Sequence, residues 1–552
     1  MSADPRAGAE RFPPSRSPAA WRSAWPLLAF AGFAALDLVV FRGALHGPFI
    51  SDDEGYIVAN TYLRQLSMEN LAAFFDPASP AQIHAVGNYS PVHLLLHALE
   101  WQMFADRVLG YHVVNVLVHA LNSVLLLSLL LRSGAPAAAA GLGALLFNLH
   151  PANVEAVAWI SQLKSTAALA FALAALLALP RAPLLAALAF GLGLLTKASA
   201  AFALPMAAGL LFARRAGARG WAWLGVWLAV FAAFAAVEAS EFEQRGRVEE
   251  PAYADPWVHA RSVAAYGARY LAMAVTSFGV SAYQEPDPVR SPLDPWWLAA
   301  LPVAALLAAR LALTLVRRQE EAAWWIGAAA AWAPVSQVFP FVHPMADRYL
   351  YFVLPGLIGG AILAGAPFLA GARAPVRRGA AAAALAVAAL FAWHSSARAG
   401  LWRSDLQLAL EAARTHPNGF HGRLLRARSA AQRGDAAAAV AELRGMRGYY
   451  EFRALDLDPG LAPIRQAPEF RELVREWAGR WIERARERGS STRSELRIVG
   501  LAHLARGEWE EAIAAYQLAL TTPGDDDEGT RGDLERARSL RAREDGGGAP
   551  AR

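Results

Sequence analysis

Apolar residues in this chain do not alternate with polar ones; they clump. Eleven runs stand out: 25–41, 110–131, 137–149, 164–180, 183–196, 198–213, 221–237, 296–316, 322–340, 346–370 and 379–395. A helix needs about 20 apolar residues to cross the ~30 Å hydrocarbon core, and roughly 17–25 are tolerated. The runs predict an all-α fold, a polytopic membrane helix bundle of about 11 spans, several of them short. Pro180, Pro183 and Pro205 mark helix ends or kinks, since proline has no amide donor. Trp257 to Val280 carries His259, Arg261 and Arg269 and predicts an interfacial or re-entrant helix, not a crossing.

Arginine sets the expected orientation. Arg6, Arg11, Arg16 and Arg22 precede the first run and place residues 1–22 as a cytoplasmic tail. That segment has no small-residue cleavage site, so the first span is expected to stay uncleaved. Arg132, Arg181, the Arg214/Arg215/Arg219 group, Arg317/Arg318 and Arg373/Arg377/Arg378 then fall on the cytoplasmic side. The membrane domain is expected over 23–398, with outer loops at 43–109 and 238–295. Loop 43–109 holds seven acids, Asp52, Asp53, Glu54, Glu69, Asp76, Glu100 and Asp106, against Arg64 and Arg107. The second loop starts near Glu238 and runs past Glu250 and Asp255. Eleven crossings leave the C-terminal domain outside the cytoplasm, in the periplasm if the host is bacterial.

The pattern changes after residue 398. From Gly500 to Pro523 the chain places Gly507, Ala512, Tyr516 and Ala519 at the spacing of a self-packing helix pair of the 34-residue tetratricopeptide type. A fainter copy spans 420–446 around Gly434 and Ala439, and an unrelated helical hairpin is the competing reading. A tetratricopeptide-like helical domain is expected over 399–540, with disordered ends at 1–20 and 541–552.

Composition sharpens this picture. Hydrophobic residues make up 55% and charged residues 18% of the 552 positions, which excludes a single soluble globule and a disordered chain. The net charge of +5 is too small and too dispersed to recommend a nucleic-acid partner. With no cysteine, zinc-thiolate sites, iron–sulfur clusters and cysteine nucleophiles are excluded. Of the 52 basic residues only Lys164 and Lys197 are lysine, and both stand at the ends of apolar runs. The arginine and alanine bias fits a GC-rich, bacterial genome.

Three groups of residues carry candidate chemistry. Ser51-Asp52-Asp53-Glu54-Gly55-Tyr56 follows the first span by about ten residues. Three adjacent carboxyl groups near a membrane raise at least one pKa, and such a carboxylate can take a proton from an attacking hydroxyl. The plainer alternative is a solvated loop whose acids face water. Lys164, Lys197 and Arg348 are expected near the outer interface, where together they can hold a lipid-linked phosphate. Against this stands snorkelling, in which long side chains at span ends simply reach the headgroups. His84, His93, His97, His112 and His119 form the third group. His93 and His97 share a helix face without the glutamate of a zinc-protease helix, so they read as packing or interfacial residues.

Many short motifs occur in order here: Asp52-Asp53, Asn60, Asn88-Tyr89-Ser90-Pro91, His97, Gly110-Tyr111-His112-Val113-Val114-Asn115, and His119-Ala120-Leu121-Asn122. Leu149-His150-Pro151, Glu155-Ala156-Val157-Ala158-Trp159-Ile160, Lys164, Leu195-Thr196-Lys197 and Asp347-Arg348-Tyr349-Leu350-Tyr351 follow. The chain thereby resembles the transmembrane and tetratricopeptide-repeat O-mannosyltransferases and their bacterial relatives over about 45–360. The resemblance implies a C-type glycosyltransferase fold in a bacterial inner membrane. The implied donor is a polyprenyl-phosphate sugar, a mannose-like hexose, and the acceptor a protein or glycan hydroxyl. It maps the catalytic acidic pair onto Asp52-Asp53 or, through related mannosyltransferases, onto Asp53-Glu54, which favours Asp53. Lys164, Lys197 and Arg348 are the expected donor-phosphate ligands. Glu54, Tyr56, His97, His150 and Glu155 are the expected substrate-binding residues. No cofactor is required by this reading, and a divalent metal stays open. Membrane lipids are the remaining partners. A non-enzymatic scaffold built on the tail and a lipid-linked sugar transporter are the rival readings. Against transport, the ionisable residues gather at one face instead of along a midplane path.

Overall fold

The computed structural model describes residues 19–83, 89–244, 253, 255–339, 343–446, 452–489, 492–522 and 527–545. The expected disordered ends, the cytoplasmic cluster Arg6, Arg11 and Arg16, and the positions of His84, Asn88, Glu250 and Pro523 lie largely or wholly outside these. Among the described residues every regular element is helical. Seven helices among the described residues are long and apolar enough to cross a membrane: Ala24–Gly43, Val108–Arg132, Ile160–Ala178, Ala218–Ser240, Pro295–Val316, Asp347–Gly371 and Ala374–Arg403. The chain is thus a multi-pass membrane protein. Ala137–Asn148, Pro183–Thr196 and Ala198–Ala213 are shorter apolar helices.

Each apolar run of the sequence contains a helix, with local differences at two of the helix ends. The run 322–340 is helical only over Glu321–Trp332, and the turn Ala333–Val335 contains Pro334, which cannot continue the amide ladder. The run from 346 becomes regular α-helix at Leu350, after a tight turn over Asp347–Tyr349. The stretch read as interfacial forms the helix Pro256–Thr276, capped by Asp255, whose side chain accepts from Trp257 N, and it is not among the seven.

Two compact units make up the chain. The first takes the described parts of Met1–Ala235, Ala308–Trp332 and Leu350–Arg403. Its helices pack on small residues, as expected where lipid offers no hydrophobic drive for helix association. At Gly356 a Cβ would lie 2.5 Å from Ala328 N, so helices Glu321–Trp332 and Leu350–Gly371 meet there only because the side chain is absent. Helix Pro183–Thr196 meets Ala218–Gln244 through Phe190 stacked on Trp227 at 4.6 Å. Polar groups inside this unit are tied together: His119 bonds Tyr351 Oη at 2.8 Å and the Asn148 carbonyl at 2.9 Å, and Asn148 donates to Asp37 at 3.0 Å.

One segment of this unit breaks the helical rule. Between Asn148 and Leu163 the chain makes a turn over Pro151–Asn153, a short helix Val154–Ala158 and a second turn Ile160–Gln162. Irregular backbone at membrane depth survives only if its polar groups find partners. Asn115 supplies them by donating to the carbonyls of Trp159 (3.0 Å) and Ile160 (3.2 Å), while Trp159 Nε1 donates to Ile50 O (3.3 Å).

The second unit takes the described parts of Ala236–Leu307, Ala333–Tyr349 and Ser404–Arg552. Its tail is a series of helices with two clear hairpins, Phe420–Gln432 with Ala436–Arg444 and Arg493–Arg506 with Trp509–Thr521. The hairpins turn at Gly434 and Gly507, at φ of +75° and +81°, a region that glycine enters without strain. Tyr516 packs over Gly500, where a Cβ would come within 2.5 Å of the ring.

Candidate active site

The acidic loop begins with strain. Ser51 sits at φ +53°, unusual for a residue with a side chain, and the following turn is widened to the π type. Tyr56 N donates to Asp52 O at 2.9 Å, and Ala59 N donates five residues back to Glu54 O at 2.8 Å. Such π-type turns recur at functional sites. Here the turn separates three neighbouring carboxylates by exposure: Asp53 is buried, Asp52 is 31% exposed at its side chain, and Glu54 faces outward.

Asp53 is gripped from two sides. One carboxylate oxygen accepts from Ile50 N at 3.0 Å; the other accepts from Ser161 N at 2.8 Å and also from Ser161 Oγ. Ser161 belongs to the turn that precedes helix Leu163–Ala178, so the broken segment delivers its amide and hydroxyl to the loop. Burial lifts the Asp53 pKa from 3.8 to about 6, and the hydrogen bonds and the charge of His97 hold it from rising further.

Lys164 and Lys197 enter from neighbouring elements. The Lys164 ammonium is 4.0 Å from Asp52, donates to the Tyr56 hydroxyl at 3.1 Å and lies 4.4 Å from the centre of the Tyr56 ring. Lys197 follows helix Pro183–Thr196 and donates to Ser165 Oγ at 2.8 Å, one residue beyond Lys164. The sequence-predicted Asp52, Asp53, Tyr56, Lys164 and Lys197 therefore share one neighbourhood in the first unit.

His93 and His97, on helix Pro91–Phe104, line the same neighbourhood. Their rings are 4.3 Å apart, and His93 meets the edge of Tyr56 at 4.8 Å. His97 pairs with the buried Glu100 at 2.6 Å. Burial depresses the His93 pKa well below 6.5, and the positive charges of His97, Lys164 and Lys197 act in the same direction. Both effects favour the neutral imidazole.

Other predicted residues have local partners. His150 accepts from Ala152 N at 3.1 Å and packs its ring against Phe391 at 4.7 Å, capping the broken segment. Glu155 is buried within the short helix Val154–Ala158. His112 and His119 are buried and hydrogen-bonded, His112 to the Gly47 carbonyl and His119 to Tyr351 Oη. Arg348 belongs to the second unit, with its guanidinium 5.2 Å from the Tyr349 ring. Among the described residues no group of three or more histidine, aspartate or glutamate side chains is placed to hold a metal ion. Sequence reasoning missed Ser161, which carries no motif of its own and matters only because the fold aims it at Asp53.

Fold and site define a multi-pass helical membrane protein with a carboxylate–lysine cluster beside a broken helix. The chain is 34% identical over 137 residues to Protein O-mannosyl-transferase Tmtc1 of Drosophila melanogaster, covering 24% of this chain and 16% of that protein. No family model matches the chain. This distant, partial similarity supports a glycosyltransferase function at the coarse level.

Proposed function

We propose that the protein transfers a sugar, a mannose-like hexose, from a polyprenyl-phosphate donor to an acceptor hydroxyl on the outer, periplasmic face of the membrane. The observation that carries this reading is that Lys164 and Lys197, from neighbouring elements, gather beside the strained turn that holds Asp52 and Asp53. A carboxylate takes the proton of the acceptor hydroxyl, whose oxygen attacks the anomeric carbon from the face opposite the phosphate. The bond from that carbon to the phosphate oxygen breaks, and its electron pair leaves with the phosphate, inverting the centre. Phosphate departs as a stable anion and needs no general acid, while the lysines offset its growing charge.

The resemblance favours Asp53 as the base, but the geometry moves the preference to Asp52. Both Asp53 oxygens already accept hydrogen bonds in a sealed position, whereas Asp52 is partly exposed beside Lys164. A base must come within hydrogen-bond reach of its proton, and reach ranks ahead of pKa. Asp53 then acts as the anchor that fixes the turn. The tail hairpins are proposed to be tetratricopeptide-like and to serve acceptor or partner docking.

The test incubates purified protein with a panel of polyprenyl-phosphate sugars and follows consumption of each. One sugar is expected to be consumed. Asp52→Asn should lower turnover by about 10²- to 10⁴-fold, the usual worth of general-base catalysis. Asp52→Asn and Asp53→Asn proteins that both retain full turnover would remove the catalytic assignment.

A further inference from the structure

Among the buried histidines of the described residues, His93 is the one in which both ring nitrogens lack a hydrogen-bond partner. The Ser161 backbone lies close enough to raise its basicity, yet neither nitrogen reaches hydrogen-bond geometry. Each unsatisfied polar atom in a dry interior is unfavourable, whereas a phenylalanine or leucine would fill the same space without that penalty. The ring is also placed among the reacting groups. It touches Tyr56, which receives the Lys164 hydrogen bond, and it feels the charges of both Lys164 and Lys197. An imidazole kept neutral near the two lysines can donate a ring N–H on the cationic side of the site, away from the role of a base.

Resting on the donor assignment above, we propose that His93 donates a ring N–H to an oxygen of the donor's phosphate, completing a site whose charge comes from Lys164 and Lys197. The ligand class is a phosphate ester carried on a lipid. Lys164, whose flexible side chain covers Tyr56 beside His93, turns from the Tyr56 hydroxyl to the same phosphate when the donor enters. The lysines supply charge without direction, and the imidazole supplies a fixed donor that sets the orientation of the ester.

The experiment titrates full-length protein in detergent with polyprenyl phosphate and, separately, with the corresponding polyprenol. His93→Phe preserves the ring contacts and removes both nitrogens; His93→Leu does the same should the phenyl ring fail to fit. His93→Gln restores an N–H. The Phe variant is expected to bind polyprenyl phosphate about 10- to 100-fold more weakly, the worth of a hydrogen bond to a charged group. Polyprenol affinity and thermal midpoint should not fall, and the Gln variant should recover part of the loss. Unchanged phosphate affinity, or an equal loss for both lipids, overturns the proposal. Lys164→Ala and Lys197→Ala separate it from the reading beneath it. If they weaken polyprenyl phosphate binding and His93→Phe does not, the His93 assignment alone fails. If none of the three does, the donor-phosphate site fails with it.

Discussion

Asp53 binds its proton more tightly in the folded protein than in the unfolded chain, because burial outweighs its hydrogen bonds. Between pH 3.8 and about 6 the folded state therefore holds more protons than the unfolded one, and stability falls as pH rises through that window. The difference amounts to about 3 kcal/mol at two pKa units. Activity should run the other way. Below pH 6 Asp53 becomes a carboxylic acid, a weaker acceptor for Ile50 and Ser161, and the turn that presents Asp52 loosens. A profile of kcat/KM against pH should show an acid limb near 6 that Asp53→Asn abolishes, leaving low turnover that is flat across that range. Ser161→Ala removes one hydrogen bond that favours the charged form and should move the limb upward by about one unit. A limb that stays put in both variants would detach Asp53 from activity. The opposed exposure of Asp52 and Asp53 was invisible in the sequence. Both are aspartates in one acidic triplet, and only the widened turn and the distant Ser161 decide which one is buried.

At the scale of elements, helices were legible and their interruption was not. Each apolar run contains a helix because a lipid-facing backbone must satisfy its own hydrogen bonds, so composition and length suffice to find them. Pro334 moved one boundary, which is the ordinary effect of a missing amide. The broken segment between Asn148 and Leu163 depends on Asn115, more than 40 residues away, and no local pattern announces that pairing. Asn115→Leu should cost about 1–3 kcal/mol, since it withdraws hydrogen bonds from two buried carbonyls. The loss should appear as a lower thermal midpoint in detergent and as lower turnover together, because Ser161 follows Ile160 directly and positions Asp53. Lys197→Ala, which loses charge and one half-buried bond to Ser165, should lower turnover with a smaller change in midpoint than Asn115→Leu. If Asn115→Leu leaves both measurements unchanged, the broken segment does not rely on this side chain.

At the scale of the whole chain, the tail joins distant segments within the second unit. Glu411 accepts from Ala282 N at 2.8 Å and from Ser281 Oγ at 3.1 Å, and His421 pairs with Glu285 while its ring stacks on Tyr283 at 4.3 Å. Asp347 adds bonds from Ser281 N at 3.0 Å and Gln284 at 2.8 Å. These contacts span about 60 to 140 residues, which is why the sequence suggested a separate tail and a separate outer loop. Glu411→Ala should free the Ala282 amide, raising its hydrogen exchange by roughly 10- to 100-fold, the worth of a hydrogen bond to a charged group. Deleting 404–552 goes further and distinguishes enzyme from scaffold. The proposed donor ligands Lys164, Lys197 and His93 all belong to the first unit, whose internal packing does not use the tail. The truncated protein should therefore bind polyprenyl phosphate within a few-fold of the full chain, although residues 277–290 become open to protease. A scaffold whose purpose lies in the tail would retain no function at all, and loss of lipid binding on truncation would show that the first unit does not form its site alone.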